Sequence, residues 1–163
     1  MPTTYDKIQT YTVTGSAVSA VIFTSISSAY TDLVIVANAR ETNGYGFWRL
    51  NNDSGANYNR TYLIGTGSSQ STAQNLSLNQ LYWNGEGSGN TFSTNIIEIF
   101  NYASTAAVKS MQQRDGVPST SSILTVARWN STAAVDRVDF LSINGGNNIA
   151  VGSTFTIYGI LRA

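Results

Sequence analysis

Histidine and cysteine are both missing from this chain of 163 residues. Without histidine the protein lacks the usual general base near neutral pH and the commonest zinc ligand. Without cysteine it has no disulfide framework and no thiolate chemistry. We therefore expect no catalytic set of these kinds, no metal site and no cofactor.

Charge is scarce as well. Only 11% of the residues are Asp, Glu, Lys or Arg, against about 25% in a typical soluble domain. The nine acidic and nine basic residues cancel, and they form no run of the kind that a nucleic-acid partner normally requires, so binding to DNA or RNA is disfavoured. Ser, Thr, Asn, Gln and Gly replace the charge, a composition common in extracellular β-proteins and virion proteins.

Long hydrophobic runs are also lacking. No apolar run approaches the ~20 residues of a membrane span. The first seven residues, Met-Pro-Thr-Thr-Tyr-Asp-Lys, have neither the basic start nor the apolar stretch of a signal peptide. We expect a protein that is made in a cytoplasm and binds no membrane.

The residues that are present indicate strands. Leu33 to Ala37 form five consecutive apolar residues after a polar turn, a run too short for a well-anchored helix, which predicts a strand buried on both sides in the middle of a sheet. Residues 106–113 fit a short helix or a strand, and the all-β context favours the strand. A slip in the alternation near Ala20 predicts a bulge. In all, strands are predicted near residues 5–14, 17–26, 32–40, 47–51, 57–64, 76–83, 94–102, 106–113, 123–129, 135–143 and 154–161.

Short strands at intervals of about 8–12 residues, separated by turn chemistry, are typical of sandwiches and barrels. We predict an all-β fold: one jelly-roll-like β-sandwich domain over residues 1–163, with a short N-terminal arm over about residues 1–6. Two glycine-rich segments, 65–71 and 84–90, are predicted to be surface loops, the first of them mobile. Neither has the lysine and following helix of a phosphate-binding loop.

Three parts of the sequence together resemble a group of small virion proteins of tailed bacteriophages, known as phage structural or tail-fibre-like proteins. They are Pro-Thr-Thr-Tyr-Asp-Lys-Ile at 2–8, the segments 23–26 and 30–33 around the polar turn, and Phe-Thr-Ile-Tyr-Gly-Ile at 155–160. Ser27 departs from the proline expected before that turn. The resemblance implies a β-sandwich on the outside of a virion, as a capsid cement (decoration) protein or a tail or fibre component, and it implies no catalytic residues.

Aromatic side chains are the main candidates for a binding surface, because flat rings suit the faces of pyranose sugars. The alternative is that they fill the core or an interface between subunits, as aromatic residues usually do. Tyr45 lies between two glycines and is the best candidate for an exposed ring. The candidate interface or glycan-stacking residues are Tyr45, Trp48, Trp83 and Trp129, with Tyr58, Tyr62 and Tyr82 nearby in the chain.

Two weaker candidates involve carboxylates. Glu98 with Asp136 or Asp139 has the composition of a glycosidase pair, but Glu98 alternates with isoleucines on a predicted strand, and residues 136–139 are typical of a local ion-pair cluster. Residues 51–53, Asn-Asn-Asp, offer oxygens to calcium, although a calcium loop normally supplies more than one carboxylate. A structural turn is the favoured interpretation of residues 51–53.

These observations lead us to expect a non-enzymatic virion structural protein of a tailed bacteriophage, made in the bacterial cytoplasm. As a cement protein it would form a homotrimer, bind the phage major capsid protein on the outer capsid surface and stabilise the shell. The alternative is a tail-fibre or receptor-binding carbohydrate-binding module that recognises a host surface glycan. A hydrolase that uses Glu98 is the third hypothesis.

The lack of His and Cys carries one further expectation. No side chain has an unperturbed pKa between about 5 and 8, so the melting temperature is expected to be nearly flat from about pH 5.5 to 8. A buried carboxylate with a raised pKa would break this pattern, and the sequence names Glu98 as the first candidate.

Overall fold

The computed structural model describes residues 5–42, 44–85, 91–117, 120–143, 146 and 148–161. These residues form strands and no α-helix. The strands are β1 (Asp6–Thr12), β2 (Ala20–Phe23), β3 (Asp32–Ala39), β4 (Tyr45–Leu50), β5 (Tyr58–Gly65), β6 (Gln70–Leu78), β7 (Leu81–Asn84), β8 (Ser93–Phe100), β9 (Lys109–Val117), β10 (Ser121–Trp129), β11 (Val138–Leu141) and β12 (Thr154–Ile160).

The strands form two antiparallel sheets. The large sheet has eight strands in the order β1-β12-β3-β8-β9-β10-β5-β6, and the small sheet has four in the order β2-β11-β4-β7. Their inner faces contribute to one continuous hydrophobic core. The predicted all-β sandwich is therefore confirmed, while the jelly-roll topology stays a prediction.

Strand β3 lies in the interior of the large sheet, as its sequence predicts, paired with β12 on one side and β8 on the other. Leu33 and Ile35 are fully buried, and Val34 on the opposite face is 5% exposed. Val36 on that same face is 37% exposed. Burial on both sides thus holds only for the first half of the strand, because the small sheet covers one face of the large sheet and leaves the other uncovered.

Residues 65–83 differ most from the sequence-based expectation. The predicted mobile loop is a tight turn at residues 66–69, closed by a hydrogen bond of 2.9 Å from the Thr66 amide to the Ser69 carbonyl. The predicted single element at 76–83 is instead two strands, β6 and β7, in different sheets. Strand β6 is at an edge and largely exposed, so it needs no alternation of apolar residues and gives a weak sequence signal.

The remaining differences are local. Residues 106–113, ambiguous in sequence, lead into strand β9. Instead of a bulged strand over residues 17–26, the structure has the short strand β2, preceded by an isolated bridge between Val18 and Ile149. Of the predicted N-terminal arm, Asp6 already belongs to β1 and Tyr5 is 55% exposed, whereas residues 1–4 lie outside the described part. Most of the second glycine-rich loop, 86–90, also lies outside it.

Candidate functional site

The free edge of the small sheet is held against the large sheet by amide side chains. Strand β7 is the last strand of the small sheet. Asn95 of β8 accepts a hydrogen bond from the Asn84 amide and donates one to the Asn84 carbonyl, both at 3.0 Å. Gln113 of β9 donates to the Tyr82 carbonyl at 2.8 Å and accepts from Trp48 Nε1 at 3.0 Å. These contacts satisfy backbone groups that an exposed edge strand leaves free.

A cleft opens beside this edge. The large sheet continues past β9 as β10, β5 and β6, and between these strands and β7 lies a cavity of about 450 Å³. That volume is within the range of roughly 300–1,000 Å³ for small-molecule sites. The lining combines aromatic, aliphatic and hydrogen-bonding groups, among them Tyr45, Arg60, Tyr62, Tyr82, Asp115 and Thr125.

One wall of the cleft is built around the guanidinium group of Arg60. Its Cζ lies 4.6 Å from the ring centre of Tyr62 and 4.2 Å from that of Tyr82, distances typical of cation–π contacts. Arg60 Nε donates to Asn75 Oδ1 at 3.0 Å. Among the described residues the salt bridges join other arginines to carboxylates, so the four remaining N–H groups of Arg60 carry no salt bridge.

Asp115 also lines the cleft, on the same face of the large sheet as Arg60 and two strands away. It is on the inner face of β9, paired with Asn95 and Ile123 across the sheet, and it is 7% exposed. Its Oδ1 atom is buried without a hydrogen-bond donor among the described residues. Burial raises the pKa of Asp115 to about 7, against the opposing effects of the nearby Gln113 side chain and Asn84 backbone amide and of the Arg60 charge. Both protonation states are therefore populated near neutral pH.

Of the four candidate aromatic residues, the structure leaves only Tyr45 with an exposed ring. Trp48, Trp83 and Trp129 are at most 2% exposed, so they fill the core and offer no face to a glycan or another subunit. The reason is their position in the strand alternation: Trp48 shares the inward side of β4 with Leu50, and Trp83 shares that of β7 with Leu81. Tyr45 is 43% exposed, as predicted from its glycine neighbours. Its ring centre lies 5.7 Å from that of Tyr82.

The carboxylate candidates have structural roles. Glu98 on β8 forms a salt bridge of 2.8 Å with Arg114 on the neighbouring strand. Asp139 on β11, in the other sheet, is fully buried and accepts hydrogen bonds from both Nε and Nη2 of Arg137. Glu98 and Asp139 therefore lie in different sheets, each bound to its own arginine, and do not form a glycosidase pair.

Residues 51–53 form a turn whose oxygens are already bound to protein groups. Asn51 has a positive φ of 51°, and its Oδ1 accepts hydrogen bonds from two backbone amides. Asp53 accepts from the Gly55 amide, the Asn57 side chain and Trp129 Nε1. Partial burial raises the pKa of Asp53, but these hydrogen bonds outweigh it and the net shift is downward. This arrangement is the structural turn that the sequence favours over a calcium loop.

The uncovered face of the large sheet is the second surface of interest. Four aliphatic side chains on β5, β6 and β10 are between 40% and 61% exposed there: Leu63, Leu76, Leu124 and Val126. Leu63 and Leu124 are cross-strand partners, and they border a shallow hollow of about 540 Å³. Strand β6, at the sheet edge beside them, has nine residues and no charge. We call these four residues and β6 the outer face.

Sequence reasoning missed Arg60 and Asp115, the two charged groups of the cleft. A signal for Asp115 was present, since polar residues occupy the inward phase of β9 in the series Lys109, Met111, Gln113, Asp115 and Val117. It becomes visible only when residues 109–117 are recognised as a strand. Nothing in the sequence places Arg60 on the same sheet face as Asp115.

Comparison of the chain with protein-family models, with curated proteins and with solved structures finds no match. In the described residues, no helix has the length and apolar character needed to span a membrane. The two surfaces that can carry a function are therefore the cleft and the outer face.

Proposed function

We propose that this protein is a non-enzymatic virion structural protein of a tailed bacteriophage, a cement protein that forms a homotrimer on the outer capsid surface and stabilises the shell. The observation that carries the proposal is the outer face, four exposed aliphatic side chains beside a long uncharged edge strand. The sequence resemblance to phage virion proteins and the charge-poor composition also support it.

The outer face has the properties of a surface that is covered in the assembled state. Contiguous exposed apolar residues mark interaction sites on soluble proteins. Proteins usually protect a long edge strand with charge, proline or a covering element, and β6 has neither charge nor proline. Strand β7, by contrast, has its edge bound by Asn95 and Gln113. Contact with other copies would remove the outer face from water and leave the trimer to bind the major capsid protein.

The outer face can be tested by the mass of the protein in solution. We expect the wild-type protein at micromolar concentration to have three times the chain mass of 17.5 kDa. Val126→Lys puts a charge on a residue that is 58% exposed, so it should leave the fold intact and shift the mass to that of the monomer. Light scattering with sedimentation measures both.

Ile22→Lys is the matched control, because Ile22 is 46% exposed on the small sheet and should keep the trimer. A wild-type protein with the monomer mass would contradict the trimer. A Val126→Lys variant that retains the wild-type mass would rule out this face as the interface.

The shell-stabilising role predicts a specific particle phenotype. A protein that binds only the assembled shell stabilises it by mass action, so particles that lack the protein should assemble normally and release DNA at lower temperature or under osmotic shock. Adding back the purified protein should restore resistance. Release can be followed with a DNA-binding dye during heating, alongside an adsorption assay on host cells.

Particles that are as heat-resistant as the wild type but fail to attach to cells would overturn the capsid role. They would favour the second candidate, a tail-fibre or receptor-binding carbohydrate-binding module. The exposed ring of Tyr45 beside the cleft favours that candidate. Copy number in the virion separates the two, since a cement protein is repeated over the whole shell and a fibre protein is confined to the tail.

A further inference from the structure

We propose that the cleft between β7 and strands β5 and β10 binds one neutral pyranose unit of a glycan, with hydroxyl groups held between Arg60 and Asp115 and the ring packed against tyrosines. This goes beyond the shell-stabilising role. It gives the second candidate function a defined site and ligand, and it rests on the geometry of the cleft rather than on where the protein sits in the virion.

The aromatic part of the cleft suits the apolar side of a sugar. Tyr45 is exposed and lies close to Tyr82, while Tyr62 lies on the opposing sheet with Arg60 between it and Tyr82. Tyrosine offers a large apolar face together with a polar tip and adapts to sites that are half wet. Stacking on both tyrosines also restricts the motion of the Arg60 guanidinium, which lowers the entropy lost when it binds a ligand.

The polar part selects for hydroxyl groups. Arg60 has N–H donors without a salt bridge, and Asp115 Oδ1 is an acceptor without a donor. A phosphate or carboxylate would accept hydrogen bonds from Arg60 but would be repelled by the ionised Asp115. An amine would donate to Asp115 but would be repelled by Arg60. A hydroxyl group both accepts and donates, so a sugar with neighbouring hydroxyls satisfies both groups.

Buried polar atoms without a partner are rare in folded proteins. The unpaired Oδ1 of Asp115 occurs at a residue that lines a cavity of suitable size. Arg60, which carries no salt bridge, lines the same cavity. Such groups of opposite charge in the lining of one cleft are expected where a polar ligand completes the hydrogen bonding.

Saturation-transfer NMR with a panel of methyl glycosides tests the proposal on the intact wild-type protein. The panel contains the neutral glycosides of glucose, galactose, mannose and N-acetylglucosamine, with glucose 6-phosphate and sialic acid as anionic probes. We expect transfer to the ring protons of at least one neutral glycoside. Its dissociation constant, from fluorescence titration, should rise about tenfold or more in Arg60→Met, since a hydrogen bond to a charged group is lost.

Tyr45→Ala provides a second variant that the fold tolerates, because the ring is exposed, and it should weaken binding too. Tyr11→Ala is the matched control: Tyr11 is 40% exposed on β1, at the opposite end of the sheet, and should bind as the wild type does. Far-UV circular dichroism checks that each variant is folded.

Absence of transfer from every neutral glycoside would overturn the proposal, as would binding that neither Arg60→Met nor Tyr45→Ala weakens. Tighter binding of the anionic probes would refute the selection for hydroxyl groups. All the cleft variants should keep the wild-type solution mass, so a failure of glycan binding and a failure of trimer formation can be told apart.

Discussion

The protein is expected to lose stability as the pH rises from about 4 to 8, and Asp115→Asn is expected to remove most of that loss. The pKa of Asp115 is raised by burial to about 7 in the folded state, from the ordinary Asp value of 3.8. Between these values the folded protein holds a proton that the unfolded chain has released. The free energy of unfolding therefore falls with increasing pH across this window and levels off above pH 7.

The expected loss is large for a single residue. A carboxyl group whose pKa is near 7 in the folded protein and 3.8 in the unfolded chain lowers the free energy of unfolding by about 2–4 kcal/mol when it ionises. Below pH 4 the lowered pKa of Asp53 acts in the opposite sense, because stability that is present above the ordinary Asp pKa is lost as the carboxylate protonates. Stability should be greatest near pH 4–5.

Urea denaturation at several pH values between 4 and 8 measures the effect. Asp115→Asn keeps the shape of the side chain but cannot ionise, so its stability should vary little over this range and should exceed that of the wild type above pH 7. Asp136→Asn, at an exposed position, is the control and should follow the wild-type curve. A wild-type profile that is flat from pH 5 to 8 would contradict the prediction.

This result would replace the flat profile expected from composition. A chain without His and Cys is expected to have no group that titrates near neutral pH. Asp115 is the exception, because burial raises the pKa of its carboxyl group into that range. Glu98, the residue that the sequence named first, is instead bound to Arg114 on a solvent-facing part of the large sheet.

Trp48→Ala is expected to destabilise the protein by about 3–5 kcal/mol, as large-to-small changes of buried aromatic residues do. Trp48 is fully buried in the core. The substitution also removes the indole N–H that Gln113 Oε1 accepts from, and Gln113 is one of the two side chains that bind the edge of β7. The free-energy cost of the cavity and that of the unpaired amide oxygen therefore add to one another.

Tyr45→Ala is the matched control, an aromatic residue three positions earlier on the same strand β4 but 43% exposed. It should change the free energy of unfolding by less than about 1 kcal/mol. Chemical denaturation followed by fluorescence and circular dichroism compares the two. Equal effects of both substitutions would contradict the assignment of Trp48 to the core and Tyr45 to the surface.

The sequence is informative where burial sets the pattern. The apolar run at 33–37 predicts strand β3, and Asn-Gly-rich breaks predict most of the strand ends. The glycines around Tyr45 predict its exposure. It is less informative at the uncovered side of the sandwich, because β6 has no apolar face to bury and its Ser, Thr and Gln residues have the composition of a loop.

The cleft could not be predicted because its residues are distant in sequence. Arg60 and Asp115 come to share one face of the large sheet only through the pairing of β9 with β10 and of β10 with β5. A shift of one residue in either register would move one of them to the opposite face of the sheet. Composition carries no information about that register, so the two charges appear in the sequence as unrelated residues.

The placement of β12 has a consequence for biosynthesis. It is the last of the described strands to leave the ribosome, yet it inserts between β1 and β3, the first and third to emerge. Until β12 emerges, strand β3 with Leu33 and Ile35 can form backbone hydrogen bonds to a neighbouring strand on one side only. Contacts between strands this distant in sequence form slowly. A nascent chain therefore exposes this apolar strand until β12 has been synthesised. Yield in a bacterial host should depend on chaperones that hold nascent chains, more than on the stability of the finished fold.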